Sequence, residues 1–165
     1  MIDLVKEFPN LNRRYLKEIE NTCPEILNSE KYLINKKYMQ HGDVSIFEHC
    51  ILVTCRCLEL ADRSKKKIDR RKLIKAALLH DYFLYDWHVD KDKSGGKKHS
   101  YRHPHIAADN AKRDFGLDDV EENAIRSHMW PLGNSFPKSK EAWILFEADK
   151  DSAFKETFKE GKFKW

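Results

Sequence analysis

The residue types that bind divalent cations recur in this chain at positions where a helix would bury them. His49 falls on an apolar stripe of a predicted helix, and His80-Asp81 follows directly on an apolar run. His128 and Asp149 come three or four residues after apolar positions, which places them on inward helix faces. Burying a carboxylate without a counter-charge is costly, and a bound metal ion removes that cost. Imidazole and carboxylate donors suit Fe, Mn or Zn, so these residues predict a metal site.

Each of these residues also has an ordinary structural interpretation. A single inward histidine can be a hydrogen-bonded core residue, and Asp149 could cap a helix or pair with a lysine. His99, His103 and His105 could be solvated loop residues. One shared metal site accounts for all the inward ionisable groups together, whereas separate explanations need an unrelated partner on each helix.

The first two long helices have recognisable starts. Ser45 and Glu48 form a capping-box pattern ahead of a helix with two adjacent apolar stripes. Two stripes predict packing on more than one side, at the centre of the fold. Asp69 caps the next helix, which the pattern KLIKAALLHDYFLYDW extends to Trp87.

The remaining segments are also predicted to be helical. The segment from Val89 to Arg102 contains Gly95-Gly96 and many charges, and it predicts a mobile loop. Further start and stop signals lie at Pro104 and Gly116, at Asp118 with Glu121 and His128, and at about Ser139. Residues 1–39 predict two or three short helices around Pro9 and Pro24. Since no alternating stretch predicts a strand, the sequence indicates an all-α fold, a compact multi-helix array.

The order of these residues resembles that of a known superfamily. The order is His49, then His80-Asp81, then Asp149, within the segments EHCILVTCRCLELA, KAALLHD and LFEADKDSA. This resembles the HD-domain superfamily of metal-dependent phosphohydrolases, whose fold is a phosphodiesterase-like helical array. His103 in HPHIAA and His128 in IRSHMWPL match two more histidines of a six-ligand, two-metal subset. The resemblance covers residues 40–155 as a metal-binding core, with an N-terminal helical extension (1–39) and a C-terminal tail (156–165) in one domain.

The resemblance also implies roles for individual residues. The first metal would be held by His49, His80, Asp81 and Asp149, and Asp81 would bridge to a second metal on His103 and His128. Asp81 would thereby position a metal-bridging hydroxide that attacks a phosphate ester or anhydride. The expected cofactor is two divalent ions, with Fe first and Mn or Zn as alternatives. The expected substrate is a small phosphorylated metabolite, most plausibly a nucleotide.

Basic and polar neighbours of these ligands are expected to neutralise the substrate phosphate. The candidates are Lys98, Arg102, His105, Arg126 and Lys150. Many hydrolytic members of the superfamily carry a lysine shortly after the HD pair, but residues 82–88 here are YFLYDWH. The missing lysine slightly favours one alternative, a mixed-valent di-iron oxygenase that uses the same six ligands. A non-catalytic nucleotide-binding domain is a further alternative, which no feature of the sequence favours.

Length and composition exclude several other classes. At 165 residues, with 31 Lys+Arg against 27 Asp+Glu, the chain suits one domain with a modest positive charge. This charge is scattered, so it does not predict nucleic-acid binding. The most apolar stretch, residues 45–60, is interrupted by Glu48 and Arg56, and no secretory signal is visible, so a cytoplasmic location is expected. The four cysteines suggest buried thiols rather than a disulfide framework.

Overall fold

A computed structural model of the chain describes residues 1–89 and 98–157, with side chains through residue 155. Within these ranges there are nine α-helices: α1 (Leu4–Glu7), α2 (Arg13–Thr22), α3 (Pro24–Leu27), α4 (Glu30–Leu33), α5 (Ile46–Arg63), α6 (Arg70–Leu79), α7 (His99–Phe115), α8 (Asp119–Arg126) and α9 (Lys140–Thr157). A 3₁₀ turn (Ile34–Lys36) follows α4. Strands β1 (Met39–His41) and β2 (Val44–Ser45) then form a small antiparallel hairpin. The predicted all-α class is confirmed.

Helix α5 lies at the centre of the fold, as its two apolar stripes predicted. It packs against α6 and α9, and also contacts α2 and the hairpin. Its first turn is capped by Ser45, whose hydroxyl accepts a hydrogen bond from the Glu48 N–H (3.1 Å). Ile51 and Leu58 are fully buried, so this helix carries much of the core.

The predicted helix boundaries at Asp69, Gly116, Asp118 and Ser139 agree with the structure. The Asp69 carboxylate accepts from the Lys72 N–H (3.1 Å), and Asp118 and Glu121 form a reciprocal capping box. Gly116 ends α7 with a φ of 66°, a conformation that a side chain would strain. Ser139 caps α9 by accepting from the Ala142 N–H (3.0 Å).

Helix α6 is shorter than predicted and ends at Leu79 instead of Trp87. The Tyr32 hydroxyl donates to the Leu78 carbonyl (2.8 Å). The Asn110 amide donates to the carbonyls of Tyr82 (3.2 Å) and Phe83 (3.3 Å), which a continuing helix would use itself. His80 and Asp81 therefore lie in the turn that leaves α6, rather than inside the helix.

Two further helix ends also differ from the prediction. Helix α7 begins at His99, so Pro104 lies inside it and removes one hydrogen bond of the helix. The predicted loop is therefore wrong for residues 99–102, which are helical, while residues 90–97 lie outside the described residues. Helix α8 ends at Arg126, two residues before His128.

The N-terminal part holds more structure than the sequence indicated. Four short helices replace the predicted two or three, and the hairpin was missed because its strands are too short to show an alternating pattern. The predicted tail overlaps residues 158–165, which lie outside the described residues. In the described ranges, no helix is both long and apolar enough to cross a bilayer.

The cysteines behave as the sequence suggested. All four are buried and free of disulfides. Burial raises the pKa of Cys23 and of Cys55 to about 12, which keeps both thiols protonated at neutral pH.

Candidate metal centre

The six predicted ligands meet at one place in the core. Their positions are His49 in α5, His80 and Asp81 in the turn after α6, His103 in α7, His128 just after α8, and Asp149 in α9. All six are buried, and they form two groups of cation-binding donors that share Asp81. Segments a hundred residues apart in sequence are therefore brought together.

The first group contains four donors. The Nε2 atom of His49 lies 3.0 Å from Oδ1 of Asp149, and Nε2 of His80 lies 3.3 Å from the same oxygen. The two imidazole Nε2 atoms are 3.3 Å apart. Oδ2 of Asp81 completes the group at 3.5 Å from each of these nitrogens.

The second group faces the other oxygen of the same carboxylate. Oδ1 of Asp81 lies 3.2 Å from Nε2 of His103 and 3.4 Å from Nε2 of His128. These two nitrogens are only 2.9 Å apart. Asp81 therefore presents one oxygen to each group.

Backbone carbonyls orient three of the imidazole rings. The Nδ1 atoms donate to carbonyls one helical turn back: His80 to Ala77 (2.7 Å), His103 to His99 (2.9 Å) and His128 to Ile125 (2.6 Å). Because a carbonyl only accepts, each Nδ1 carries a proton, and a neutral ring then directs its Nε2 lone pair into the centre. In neutral rings, the lone pairs of His103 and His128 repel each other at this distance unless a cation lies between them.

The spacing of the donors fits metal ions. A cation about 2.0–2.2 Å from nitrogen and oxygen ligands places neighbouring ligands about 3 Å apart, close to the distances found in both groups. Oδ1 of Asp81 is buried and, among the described residues, has no hydrogen-bond partner. An ionised buried oxygen without such a partner is what a cation would satisfy. The residues present therefore fit divalent ions.

The electrostatics of the first group favour a positive charge. Burial would raise the pKa of Asp149, but hydrogen bonds from His49 and His80 hold it far below its ordinary value. Burial also opposes ionisation of Asp81, yet neighbouring His80 keeps the pKa of that carboxyl well below normal. Burial disfavours protonation of His80, but Asp81 outweighs it and raises the pKa of His80. Without a metal ion, a proton on His80 therefore stabilises this group, and a bound cation would displace that proton.

In the second group, the pKa of His128 shifts in the opposite direction to that of His80. Burial lowers its pKa, which favours the neutral ring. A neutral imidazole is the form that binds a metal ion, so His128 is prepared as a ligand without first losing a proton.

The predicted substrate-binding residues occupy different settings. Lys98 directly precedes α7 and Arg102 lies in its first turn, next to His103, and both are exposed. Lys150 follows Asp149 and lies over the Phe146 ring, 4.4 Å from its centroid. Their assignment to substrate stays a prediction.

The other two predicted substrate-binding residues make contacts within the protein. Arg126 donates to Asp109 (2.6 Å) and Glu122 (2.9 Å), and a second guanidinium nitrogen lies 3.2 Å from Nδ1 of His105. Nε2 of His105 contacts the side-chain oxygen of Asn134 (2.9 Å). These partners satisfy both side chains without a substrate, and their predicted role is likewise untested.

One contact to the centre was missed by the sequence analysis. Gln40 in β1 donates from Nε2 to Oδ2 of Asp81 (2.8 Å). No local pattern signals this contact, because it depends on how the hairpin folds against the turn after α6. Neighbouring rings also pack beside the centre: Trp87 stacks on His99 (4.8 Å between centroids), and His99 stacks on His103 (4.6 Å).

Comparison with known proteins identifies the family. The family model of the HD domain matches residues 46–153, which include all six donors. The chain therefore belongs to the HD domain family, a superfamily composed mostly of metal-dependent phosphohydrolases, and its buried His/Asp cluster fits an HD-type metal site. No match was found among curated proteins or among solved structures.

Proposed function

We propose that this protein is a phosphohydrolase that uses two divalent cations, held by His49, His80, Asp81 and Asp149 and by Asp81, His103 and His128. The observation that carries the proposal is the Asp81 carboxylate, whose two oxygens face separate groups of donors. Two cations bound in this way supply Lewis-acid activation of water and of a phosphoryl oxygen. The proposed ions are Fe first, with Mn or Zn as alternatives.

The exposure of the ligands supports a direction of approach for the substrate. His103 and Asp149 are 5% and 7% exposed, whereas the other four ligands are exposed by 1% or less. The substrate would therefore enter beside α7 and α9. Arg102 and Lys150, each adjacent in sequence to one of these two ligands, would neutralise the phosphate there, with Lys98 one turn away. A small phosphorylated metabolite, and a nucleotide in particular, is the substrate class we propose.

Metal content is the first test of the two-cation site. Wild-type protein purified without chelator and without nickel resin should hold two equivalents by mass spectrometry. His103→Ala should hold fewer, because it leaves the second group with only two donors. His105→Ala, two residues further along the same helix, is the matched control and should keep both ions. One equivalent that survives His103→Ala would reduce the site to a single cation and contradict the proposal.

Turnover is the second test. Protein loaded with Mn²⁺ or Fe²⁺ should release phosphate or a nucleotide product from a panel of nucleoside monophosphates, dinucleoside polyphosphates and alarmone-type nucleotides. Asp81→Asn should abolish release, because the amide lacks the charge that both cations share. A fully loaded enzyme with no activity on any of these compounds would overturn the hydrolase assignment.

A mixed-valent di-iron oxygenase is the second candidate function. The observation that favours it is the segment after Asp81, residues 82–88, which contains aromatic residues and no lysine. Iron-loaded protein would then consume O₂ and give a mixed-valent EPR signal after partial oxidation. Phosphate release without O₂ consumption would exclude it.

A further inference from the structure

The Gln40 amide reaches the metal centre from outside the segment that the family model matches. Gln40 is the only glutamine in the chain, and it precedes the matched residues 46–153. Its Nε2 donates to Oδ2 of Asp81 at 2.8 Å. The family match therefore assigns it no role, although it contacts the one carboxylate that both groups of donors share.

The orientation of this amide follows from its partner. An ionised carboxylate only accepts hydrogen bonds, so the amide must present Nε2 to Asp81. Oε1 of Gln40 is buried and has no hydrogen-bond partner within the described ranges. A buried, unpaired carbonyl oxygen costs free energy, so the contact to Asp81 is maintained against a local penalty.

The hairpin that carries Gln40 is fixed on both sides. The Ile46 N–H donates to the Tyr38 carbonyl (2.8 Å), which closes the hairpin onto the start of α5. Nε2 of His88 lies 3.1 Å from the Met39 carbonyl and 3.3 Å from the Gln40 carbonyl. Because these contacts hold the backbone just before β1 and at Met39 and Gln40, the amide reaches Asp81 from a constrained position.

We propose that Gln40 is a positioning residue that keeps Asp81 shared between the two cations. This inference rests on the proposed two-cation site. With Oδ2 hydrogen-bonded to Gln40 and facing His49 and His80, Oδ1 remains directed at His103 and His128. Rotation of the carboxylate, which would place both oxygens on a single cation, breaks the Gln40 hydrogen bond.

The test measures cation affinity rather than activity. Gln40→Met keeps the length of the side chain and removes the amide, whereas Asp43→Asn in the exposed hairpin turn is the matched control. Calorimetric titration with Mn²⁺ should show the first binding event nearly unchanged in Gln40→Met. The second event should weaken by about 10–100-fold, the range found when residues that orient metal ligands are replaced. The control should match wild type in both.

A spectroscopic signature separates positioning from a general loss of stability. Two Mn²⁺ ions that share a carboxylate give a magnetically coupled EPR spectrum, and Gln40→Met should replace it with the spectrum of isolated ions at equal loading. If Gln40→Met fails to fold, Gln40→Asn, whose amide is one methylene too short to reach Asp81, should give the same result.

The outcomes distinguish this inference from the function on which it rests. Wild-type protein that binds only one cation would overturn both. Wild-type protein that binds two, with Gln40→Met or Gln40→Asn matching its second affinity and its coupled spectrum, would overturn the role of Gln40 alone.

Discussion

At the scale of single residues, the centre concentrates hydrogen-bond acceptors where proteins usually pair them with donors. Asp81 and Asp149 are buried and ionised, and His103 and His128 bring their Nε2 atoms to 2.9 Å. Such an arrangement is costly without a positive charge, and the Asp81 carboxylate raises the pKa of His80 although burial alone would lower it. The same residues that are hard to explain as core residues are simple to explain as ligands.

The charge of Asp149 should therefore dominate the affinity of the first group. Asp149→Asn keeps an oxygen donor but removes the negative charge, so we expect the first cation to bind more than about 100-fold more weakly, beyond the range for residues that only orient ligands. Isothermal titration with Zn²⁺ or Mn²⁺ measures this. Asp151→Asn, two residues further along α9, is the control and should bind as wild type. Equal affinities for both variants would show that Asp149 is not a ligand.

His49, His80-Asp81, His128 and Asp149 could be predicted at this scale because each follows apolar positions in a helical pattern. His103, between Arg102 and Pro104, is indicated only by the resemblance to the HD-domain superfamily. Gln40 could not be predicted in the same way. It precedes Asp81 by forty-one positions and reaches it through a hairpin whose strands are too short to leave a pattern. The proposed ligands could therefore be predicted from the sequence, whereas the contact from Gln40 to Asp81 required the fold.

At the scale of elements, the C-terminal ends of α6 and α8 position two of the histidines of the centre. His80 and His128 each lie within two residues of a helix end, and each ring is held by a carbonyl of the last turn. The sequence predicted these helices but extended both too far. For α6 the reason is that Tyr32 and Asn110 bind its last carbonyls and those that follow it from other elements. Helix ends set by tertiary contacts cannot be located from local propensity alone.

A cluster around Asp62, near the C-terminal end of α5, joins α2, α5 and α6. Asp62 accepts from the Tyr15 hydroxyl (2.7 Å), from Arg14 (2.5 Å) and from Arg70 (2.8 Å). The hydrogen bond from Tyr15, followed by those from the two arginines, lowers the pKa of Asp62 to about 2. These contacts hold α2 against α5 and α6.

This cluster predicts a pH dependence of stability. The folded pKa of Asp62 lies below the unfolded value of about 3.9, so its contribution is complete at neutral pH and is lost as the pH falls toward 2. Asp62→Asn should be less stable than wild type at pH 7, and the difference should shrink between about pH 5 and pH 2. Urea denaturation at several pH values measures it. Asp43→Asn is the control, and a pH-independent difference for Asp62→Asn would contradict the prediction.

At the scale of the whole molecule, the two groups of donors connect five of the helices. Helices α5, α7 and α9 carry donors of these groups, and α6 and α8 end within two residues of another donor. Because the unfolded chain does not hold these donors together, a cation that binds them binds the folded state selectively. Metal loading and global stability are therefore linked.

Addition of cation should raise the thermal midpoint of the chelator-treated protein. At a free concentration of 100 times the dissociation constant, one site adds about 2.7 kcal/mol to the free energy of unfolding. For a domain of this size, that corresponds to about 5–10 °C. Differential scanning calorimetry with and without Mn²⁺ measures the shift. His103→Ala should show a smaller shift, and identical midpoints with and without cation would contradict binding at this centre.

The ends of α6 and α8 have one more consequence. A helix accumulates about half a negative elementary charge at its C-terminus through the alignment of its peptide dipoles, and two such ends converge on His80 and His128. Their field adds to that of the Asp81 and Asp149 carboxylates, so a phosphate approaching the empty centre is repelled. In the proposed phosphohydrolase, this field would change sign only once cations are bound. The direction in which the two helices point would therefore favour binding of cations before an anionic substrate.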